Sequence, residues 1–284
     1  MLPVQFDEVH GKRVRFARLG RGAPVVLLHG YPDNLQLWNE VAPRLARDLD
    51  VIAPDWPGMG GSDAWQGGAT PFDMAAHLAA LLDRWNVARA AVVGLDMGGQ
   101  PALVFAARHP HRVSHLVVCN SLVQWDAPTS WEIAWLRRFR FNQLVLRHGP
   151  RLVFRRALKS FLPRDVRLQA EIRADFWAHF RRRDVRDFIV RMCAGYQGTL
   201  PRLPEEYRKI AAPTLALWGT NDRHFPPAHG SRLQEQIAGA TLQVIDGGEH
   251  WLPLQRPVEF AEAVRDFVRS DRPTLTASRA PSTR

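Results

Sequence analysis

The stretch Gly94-Leu95-Asp96-Met97-Gly98-Gly99 places a carboxylate between an apolar strand and a helix. The run Ala90–Val93 before it is apolar, and apolar residues recur at helical spacing after it, through Leu103 and Ala107. Its glycines allow a sharp strand-to-helix turn, because glycine tolerates tight bends and close backbone approach. Such a turn presents the side chain at its tip, here Asp96, to a reacting group. The stretch therefore predicts both the local fold and the chemistry.

A carboxylate at this position decides which bonds the chain can attack. Attack by Asp96 on a saturated carbon gives an alkyl ester, and water can hydrolyse that ester and regenerate the nucleophile. A serine attacking the same carbon would give an ether and remain blocked. The predicted substrates are therefore alkylating agents, such as an epoxide or an alkyl halide, instead of carboxylic esters. Taken alone, Asp96 has a second interpretation, as a cap of the following helix.

Three segments together resemble the α/β-hydrolase superfamily, in the Asp-nucleophile branch that includes epoxide hydrolases and haloalkane dehalogenases. They are Gly94–Gly99, His29–Asp33 and the turn Asp55–Ser62, and the looser resemblance covers about residues 4–270. It implies an α/β-hydrolase fold, with a mostly parallel eight-stranded sheet, helices on both faces and a helical cap inserted after strand 6.

A hydrolytic step needs a general base, and the chain offers 11 histidines. His250 follows the last predicted strand, Thr241–Ile245, where this superfamily places its base. Asp222 follows the preceding predicted strand, Thr214–Gly219, and is expected to orient His250 and stabilise its charged form. By itself Asp222 would be read as a turn residue. The chain order Asp96, Asp222, His250, however, matches nucleophile, acid and base.

Attack of water on an ester creates an oxyanion, which two backbone N–H groups can stabilise. One is expected from Met97, at the start of the helix. The segment His29-Gly30-Tyr31-Pro32 looks like the HGxP segment of epoxide hydrolases, which implies that the Tyr31 N–H is the other and that the peptide before Pro32 can be cis. Asp33 is expected to cap the next helix, and a substrate-binding role is its alternative.

Length and composition suit one large α/β domain with an insertion, since the chain has 284 residues and is 46% hydrophobic. A hairpin is predicted around His10-Gly11, and a helix near 71–86 is capped by Thr70. Further strands are predicted near 24–28, 50–54, 90–94, 115–119, 213–218 and 241–245. Strands that alternate with helices indicate a mostly parallel sheet. Residues 1–123 and 206–270 are assigned to the core, 124–205 to the cap and 271–284 to a disordered tail.

The predicted cap shows no strand pattern and is dense in Arg, Trp, Phe and Leu. In relatives with an Asp nucleophile a helical lid covers the active site at this position and excludes water. Trp125 and Tyr196 are the predicted substrate contacts within it, together with Tyr31 from the core. Aromatic residues that could form its inner face, with core packing as the alternative for each, are Trp125, Trp131, Trp135, Phe139, Phe141, Phe154, Phe176 and Trp177.

The chain is strongly basic, with a formal charge of +10 and a pI of about 10.8. Residues 124–205 hold 17 Arg and Lys against 8 Asp and Glu, so the excess is concentrated in the predicted cap. Arg181-Arg182-Arg183 is followed by Asp184 and Asp187, which is typical of a solvated helix face. The expected partners are thus a small apolar, epoxide or halide substrate and water, without nucleic acid or membrane. A basic cap is expected to attract anionic substrates.

Two cysteines, Cys119 and Cys193, are too few for a disulfide framework and fit a reducing compartment. No charged-then-apolar leader and no apolar run of membrane-spanning length occur, so a cytoplasmic location is expected. No cluster has metal-ligand spacing, and neither a metal nor another cofactor is predicted. The sequence leaves the oligomeric state open.

The choice between reactions depends on acids in the cap. Opening an epoxide leaves an alkoxide that must be protonated, and relatives that do so use cap tyrosines. Tyr196 stands at such a position. Tyr207 lies at the exit of the cap, where a surface position is expected and a role as second acid is the alternative. Haloalkane dehalogenases carry a Trp and an Asn where this chain has Met97 and Tyr31. The preferred function is an epoxide hydrolase, with a haloalkane or haloacetate dehalogenase and a non-catalytic binding protein as alternatives.

Overall fold

A mostly parallel β-sheet forms the centre of the protein in the computed structural model. The structure describes residues 1–65, 67–137 and 139–270, with only the backbone at 136, 137 and 139–142. The predicted tail at 271–284 lies outside the described residues. Within them the strands are β1 (Gln5–Val9), β2 (Lys12–Leu19), β3 (Ala23–Leu28), β4 (Leu49–Pro54), β5 (Ala90–Leu95), β6 (Val113–Cys119), β7 (Thr214–Gly219) and β8 (Thr241–Ile245). Each predicted strand is present, with ends shifted by at most two residues.

The described strands form one eight-stranded sheet in the order β1-β2-β4-β3-β5-β6-β7-β8. β1 pairs antiparallel with β2, and β2 antiparallel with β4, while all remaining pairs are parallel. The predicted fold class is thereby confirmed. β5 lies near the middle and is buried along its whole length, as expected for a strand covered on both faces. The carboxyl ends of β3, β5, β6, β7 and β8 share one edge of the sheet.

Helices surround the sheet. The described α-helices are α1 (Ala42–Leu45), α2 (Pro71–Arg84), α3 (Gly99–Arg108), α4 (Trp131–Arg137), α5 (Phe139–His148), α6 (Pro150–Phe161), α7 (Ala170–Phe180), α8 (Arg183–Thr199), α9 (Leu203–Tyr207), α10 (Ala228–Gln236), α11 (Leu252–Gln255) and α12 (Pro257–Arg269). α2 and α9 both pack on α3, whereas α1 and α11 pack on α12. α2 begins as predicted, because Thr70 and Asp73 form a capping box.

Helices α4 to α9 lie between β6 and β7, in the position predicted for the insertion. α8 is the central helix of this group, since α4, α5 and α7 all pack against it. α9 instead packs on α3 of the core. The name "helical insertion" is used below for residues 124–205. Its assignment as a separate cap domain stays a prediction.

Arg15 on β2 ties the helical insertion to the sheet. Its guanidinium is buried, lies 3.4 Å from the Asp55 carboxylate of the core and donates two hydrogen bonds of 3.0 Å to Asp175 on α7. Asn34 donates a further bond of 2.8 Å to the same Asp175 carboxylate. Buried charges are tolerated when they are paired and hydrogen-bonded in this way. The position of α7 over the core is therefore fixed by a polar network.

Candidate active site

Asp96 lies at the sharp turn between β5 and α3. Its backbone is in the left-handed region, with φ of 52°, and its side chain is almost fully buried. Close approach explains two of the surrounding glycines. A Cβ on Gly30 would lie 2.5 Å from the Asp96 carboxylate, and one on Gly98 would lie 2.4 Å from the Leu28 carbonyl oxygen. The turn therefore presents Asp96 to the carboxyl edge of the sheet, as the sequence predicts.

Backbone N–H groups surround the Asp96 carboxylate. The Tyr31 N–H donates to Asp96 Oδ2 at 2.9 Å, and the Tyr31–Pro32 peptide is cis. Burial raises the pKa of Asp96 to about 6, an effect that His250 and the N–H groups of Tyr31 and Met97 partly oppose. Both residues expected to stabilise an oxyanion thus direct their N–H groups at one carboxylate. The other carboxylate oxygen, Oδ1, faces His250.

His250 is positioned by Asp222. The imidazole Nδ1 lies 2.9 Å from Asp222 Oδ2, while Asp222 Oδ1 accepts from the N–H groups of His224 and Phe225 at 2.8 and 3.1 Å. Burial alone would lower the pKa of His250, but the Asp222 carboxylate outweighs it and the pKa is raised. The free Nε2 lies 3.9 Å from Asp96 Oδ1 and has no hydrogen-bond partner among the described residues. When Nδ1 donates its proton to Asp222, the lone pair of the neutral imidazole lies on Nε2, on the side of Asp96.

Asn120, at the end of β6, holds the loops of the site together. Its amide Nδ2 donates to the carbonyl oxygens of Glu249 and His250 at 3.1 and 2.8 Å, and its Oδ1 accepts from the Gly219 N–H at 3.1 Å. Asn120 therefore links the ends of three strands. The sequence did not predict this role for Asn120. Its neighbour Ser121 donates a hydrogen bond of 2.5 Å to the Asp96 carbonyl oxygen.

A cavity of about 40 Å³, named the reaction cavity here, lies directly above Asp96. Tyr196 on α8 lines it, and burial raises the pKa of the Tyr196 hydroxyl well above its usual range, so the hydroxyl stays protonated. The Gln100 amide faces the same hydroxyl and opposes that rise. Gln100 was not predicted, although it follows Asp96 by one helical turn, a spacing that could have identified it. The other lining residues are Tyr31, Met97, Leu122, Ile133, Phe161, Ile189, Met192, Cys193 and Phe225.

Asp33 does not cap the next helix, which corrects one expectation. The cap of the 3₁₀ turn Leu35–Trp38 is Asn34, whose side chain accepts from the Gln36 N–H. Asp33 instead is buried, with Oδ1 3.2 Å from His29 Nδ1 and Oδ2 unpartnered within the described part of the chain. Its charge contributes to raising the pKa of both Asp96 and His250. Asp33 does not line the reaction cavity, so its predicted contact with substrate is not supported.

Trp125 and Tyr207 also lie away from the reaction cavity. Trp125 is half-buried against the core and does not line that cavity, so its predicted substrate contact lacks structural support. The expected surface position of Tyr207 is wrong. Tyr207 is fully buried, and its hydroxyl donates to the Val123 carbonyl oxygen because α9 packs inward on α3. Asp126, a carboxylate of the helical insertion, is exposed and lies 3.6 Å from Arg232.

The aromatic residues of the helical insertion divide between packing and cavity walls. Phe154 and Phe176 are buried, whereas Trp131 is 58% exposed. Trp131 and Trp135 line a second cavity. The side chains of Phe139 and Phe141 lie outside the described part of the structure.

Two further observations concern ligands and membranes. The described residues contain no group of three or more His, Cys, Asp or Glu side chains arranged to hold a metal ion. No helix in the described ranges combines the length and apolar character needed to cross a bilayer.

Known proteins resemble the chain over nearly its full length. It is 29% identical to 2-hydroxy-6-oxo-2,4-heptadienoate hydrolase of Pseudomonas putida, over 89% of this chain and 91% of that enzyme. It is 26% identical to epoxide hydrolase 3 of Xenopus tropicalis, over 88% of this chain and 72% of that enzyme.

One solved structure matches the fold closely. The enol-lactonase from Burkholderia xenovorans LB400 superimposes with a TM-score of 0.78 at 24% identity, covering 94% of this chain and all of that one. Residues 23–257 match the family described as alpha/beta hydrolase fold. Together with the sheet order and the turn at Asp96, this match shows that the chain belongs to the α/β hydrolase fold family.

Proposed function

We propose that this α/β-fold hydrolase uses Asp96 as a nucleophile and hydrolyses epoxides through an alkyl-ester intermediate. The observation that carries the proposal is the environment of the Asp96 carboxylate. One oxygen accepts the Tyr31 N–H at 2.9 Å, and the other faces the unpartnered Nε2 of His250 at 3.9 Å. One oxygen is thus held while the other is available for attack.

In the first step Asp96 Oδ1 attacks a saturated carbon of the epoxide and the carbon–oxygen bond of the ring breaks. The leaving oxygen becomes an alkoxide and takes a proton from the Tyr196 hydroxyl, which lines the same cavity. Asp96 must be ionised to attack. Its pKa of about 6 leaves most of it ionised near neutral pH.

In the second step His250 removes a proton from water, and the hydroxide attacks the ester carbon of Asp96. Negative charge then develops on Oδ2, which the N–H groups of Tyr31 and Met97 stabilise. Asp222 stabilises the imidazolium that forms. Collapse of the intermediate breaks the bond between the ester carbon and Oδ1, and the departing alkoxide takes the proton of the His250 imidazolium to complete the diol. Asp96 keeps one oxygen from water, and the proton of its new carboxyl group returns to the Tyr196 phenolate.

The helical insertion acts as a cap in this proposal. It contributes Tyr196 and the apolar wall of the reaction cavity, and Arg15 holds it against the core. Such a cap keeps bulk water away from the alkyl ester and strengthens the electrostatic interactions inside.

The similarity to epoxide hydrolase 3 of Xenopus tropicalis supports this choice. The similarity to 2-hydroxy-6-oxo-2,4-heptadienoate hydrolase raises carbon–carbon bond hydrolysis as an alternative. A carboxylate nucleophile disfavours that reaction. A halide displacement by the same Asp96 would need hydrogen-bond donors for the departing anion, whereas Tyr196 is suited to protonate an alkoxide. A binding protein without catalysis would not need the aligned Asp222, His250 and Asp96.

The test is to trap the intermediate. In a His250→Gln variant the ester should form but persist, so incubation with styrene oxide should add the whole mass of the epoxide to the protein. Peptide mapping should locate the addition at Asp96. A haloalkane that reacts would instead add its mass without hydrogen halide, which distinguishes the two reactions. His109→Gln, a histidine outside the site, is the control and should accumulate nothing.

A single turnover in ¹⁸O-labelled water gives an independent readout with the unmodified protein. Label should appear in Asp96 after one turnover. Label in the product with none in Asp96 would mean direct attack of water on the substrate and would exclude the ester.

A further inference from the structure

A second cavity, named the outer chamber here, adjoins the reaction cavity. It has a volume of about 220 Å³ and is enclosed by α4, α5 and α6 of the helical insertion. Tyr31 and Phe161 line both cavities, and their rings meet edge to face with centroids 6.3 Å apart. These two rings therefore form the boundary between the chambers. A molecule that crosses it has one part beside Asp96 and another in the outer chamber.

The walls of the outer chamber are apolar. Aliphatic and aromatic side chains make up most of its lining, among them Trp135, Val145, Val153 and Ala157. The chamber also reaches the surface, since Trp131 and Leu152 on its rim are 58% and 67% exposed. Large apolar side chains that remain exposed around an opening are typical of ligand-binding grooves.

The two charged side chains at the rim differ in whether they have an oppositely charged partner. Glu132 and Arg156 both line the chamber, but Glu132 is already paired with Arg223 at 3.2 Å. Arg156 is exposed, stacks over Trp131 at 4.6 Å and contacts no carboxylate in the described ranges. Helix α6 carries three more basic residues, Arg151, Arg155 and Lys159, and no acidic one. The opening of an apolar chamber thus has an uncompensated positive charge.

We propose that the outer chamber binds the apolar tail of an anionic amphiphile, with its anionic head group against Arg156 and its reactive carbon at Asp96. This inference rests on the proposed function, because it assigns the tail of the same substrate. An apolar chain gains free energy from leaving water, while the head group stays at the solvated rim where its desolvation cost is small. Arg156 binds such a head group well, since its planar guanidinium matches a carboxylate.

The test measures binding of two ligands that cannot react, octanoate and octanol, by isothermal titration calorimetry on the full-length protein. Octanoate should bind more tightly than octanol. Arg156→Gln should weaken octanoate binding by about threefold to fivefold, the range for an exposed ion pair, and leave octanol unchanged. Arg155→Gln removes an equally exposed arginine of α6 that does not line the chamber, and should change neither.

The place of binding is tested by filling the chamber. Ala157→Phe should weaken binding of both ligands by about tenfold or more, because the new ring occupies the space of the tail. Ala178→Phe, an exposed alanine on α7 outside the chamber, should leave both affinities unchanged. Thermal unfolding of each variant verifies that it folds. Equal loss of octanoate and octanol in Arg156→Gln, or unchanged binding in a folded Ala157→Phe, would overturn the inference.

These outcomes separate this inference from the proposed function. Neither ligand has an epoxide or halide, so binding is read without any reaction. Arg156-dependent octanoate binding in a protein that forms no ester would contradict the proposed function alone. If styrene oxide forms the ester, but octanoate binds Arg156→Gln and Ala157→Phe as tightly as the unmodified protein, this inference alone is contradicted.

Discussion

The carboxyl edge of the sheet and the helical insertion build their parts of the site in different ways. At the edge, Asp96, Asp222 and His250 lie one, three and five residues after strand ends, and hydrogen bonds from backbone N–H groups and from Asn120 fix them. The insertion places Tyr196 and the outer chamber by apolar packing of helices, with one buried polar network at Arg15. In the proposed mechanism the edge holds the reacting atoms, whereas the insertion selects and protonates the substrate.

The largest expected effect lies at the sheet edge. Asp222→Asn should reduce turnover of an epoxide by about 10⁴-fold, because an amide no longer holds His250 in the required tautomer or stabilises its positive charge. Steady-state kinetics on styrene oxide measures it. Asp126→Asn, an exposed carboxylate in the insertion, is the matched control. A comparable loss of turnover in Asp126→Asn would place the acid in the helical insertion and not at the sheet edge.

The tie between the two regions should affect stability next. Arg15→Gln removes a buried charge shared by Asp55 and Asp175 and should lower the free energy of unfolding by about 3 kcal/mol. Urea denaturation measures the change. Arg13→Gln removes an exposed arginine of the same strand, 4.0 Å from Asp63, and should change it by less than about 1 kcal/mol. Equal changes in the free energy of unfolding for Arg15→Gln and Arg13→Gln would mean that the Arg15 network does not hold the helical insertion on the core.

Tyr196 tests whether the insertion takes part in the chemistry. Tyr196→Phe should slow ester formation from an epoxide by about 10²-fold, because the alkoxide loses its proton donor. Displacement from an alkyl halide needs no such proton and should change little. Rapid-quench measurement of ester formation gives both rates. Tyr207→Phe is the control, since its hydroxyl donates to the Val123 carbonyl oxygen away from the reaction cavity, and should leave both rates unchanged.

The last prediction concerns the stability cost of the nucleophile. Burial raises the pKa of Asp96 to about 6 from 3.8, so ionisation destabilises the folded state as the pH rises through this interval. Asp96→Asn should therefore be more stable than the unmodified protein by about 3 kcal/mol at pH 8. Below about pH 3 the difference should vanish, since Asp96 is then protonated in both the folded and the unfolded state. Urea denaturation at both pH values tests it, and an advantage that stays constant with pH would falsify the electrostatic explanation.

Local sequence patterns predicted the turn at Asp96 and the positions of the strands. The glycines around Asp96 and the apolar runs before it determine a turn whose geometry depends on residues adjacent in sequence, and each strand was foreseen to within two residues. The site at Asp33 shows where this approach fails. Asp33 and Asn34 are both good helix caps, and only the position of His29 decides that Asp33 pairs with the imidazole.

Sequence alone determined the fold class and the residues that could meet at the edge of the sheet, because strand periodicity and tight turns are set by neighbouring residues. Only the tertiary structure decided which residues of the insertion line the cavities. Helix packing brings Gln100, Tyr196 and Phe161 together from three helices far apart in sequence. It also buries Tyr207 against the core and keeps Trp125 out of the lining of the reaction cavity. The apolar pattern of a helix shows that one face is buried, but it does not show against what.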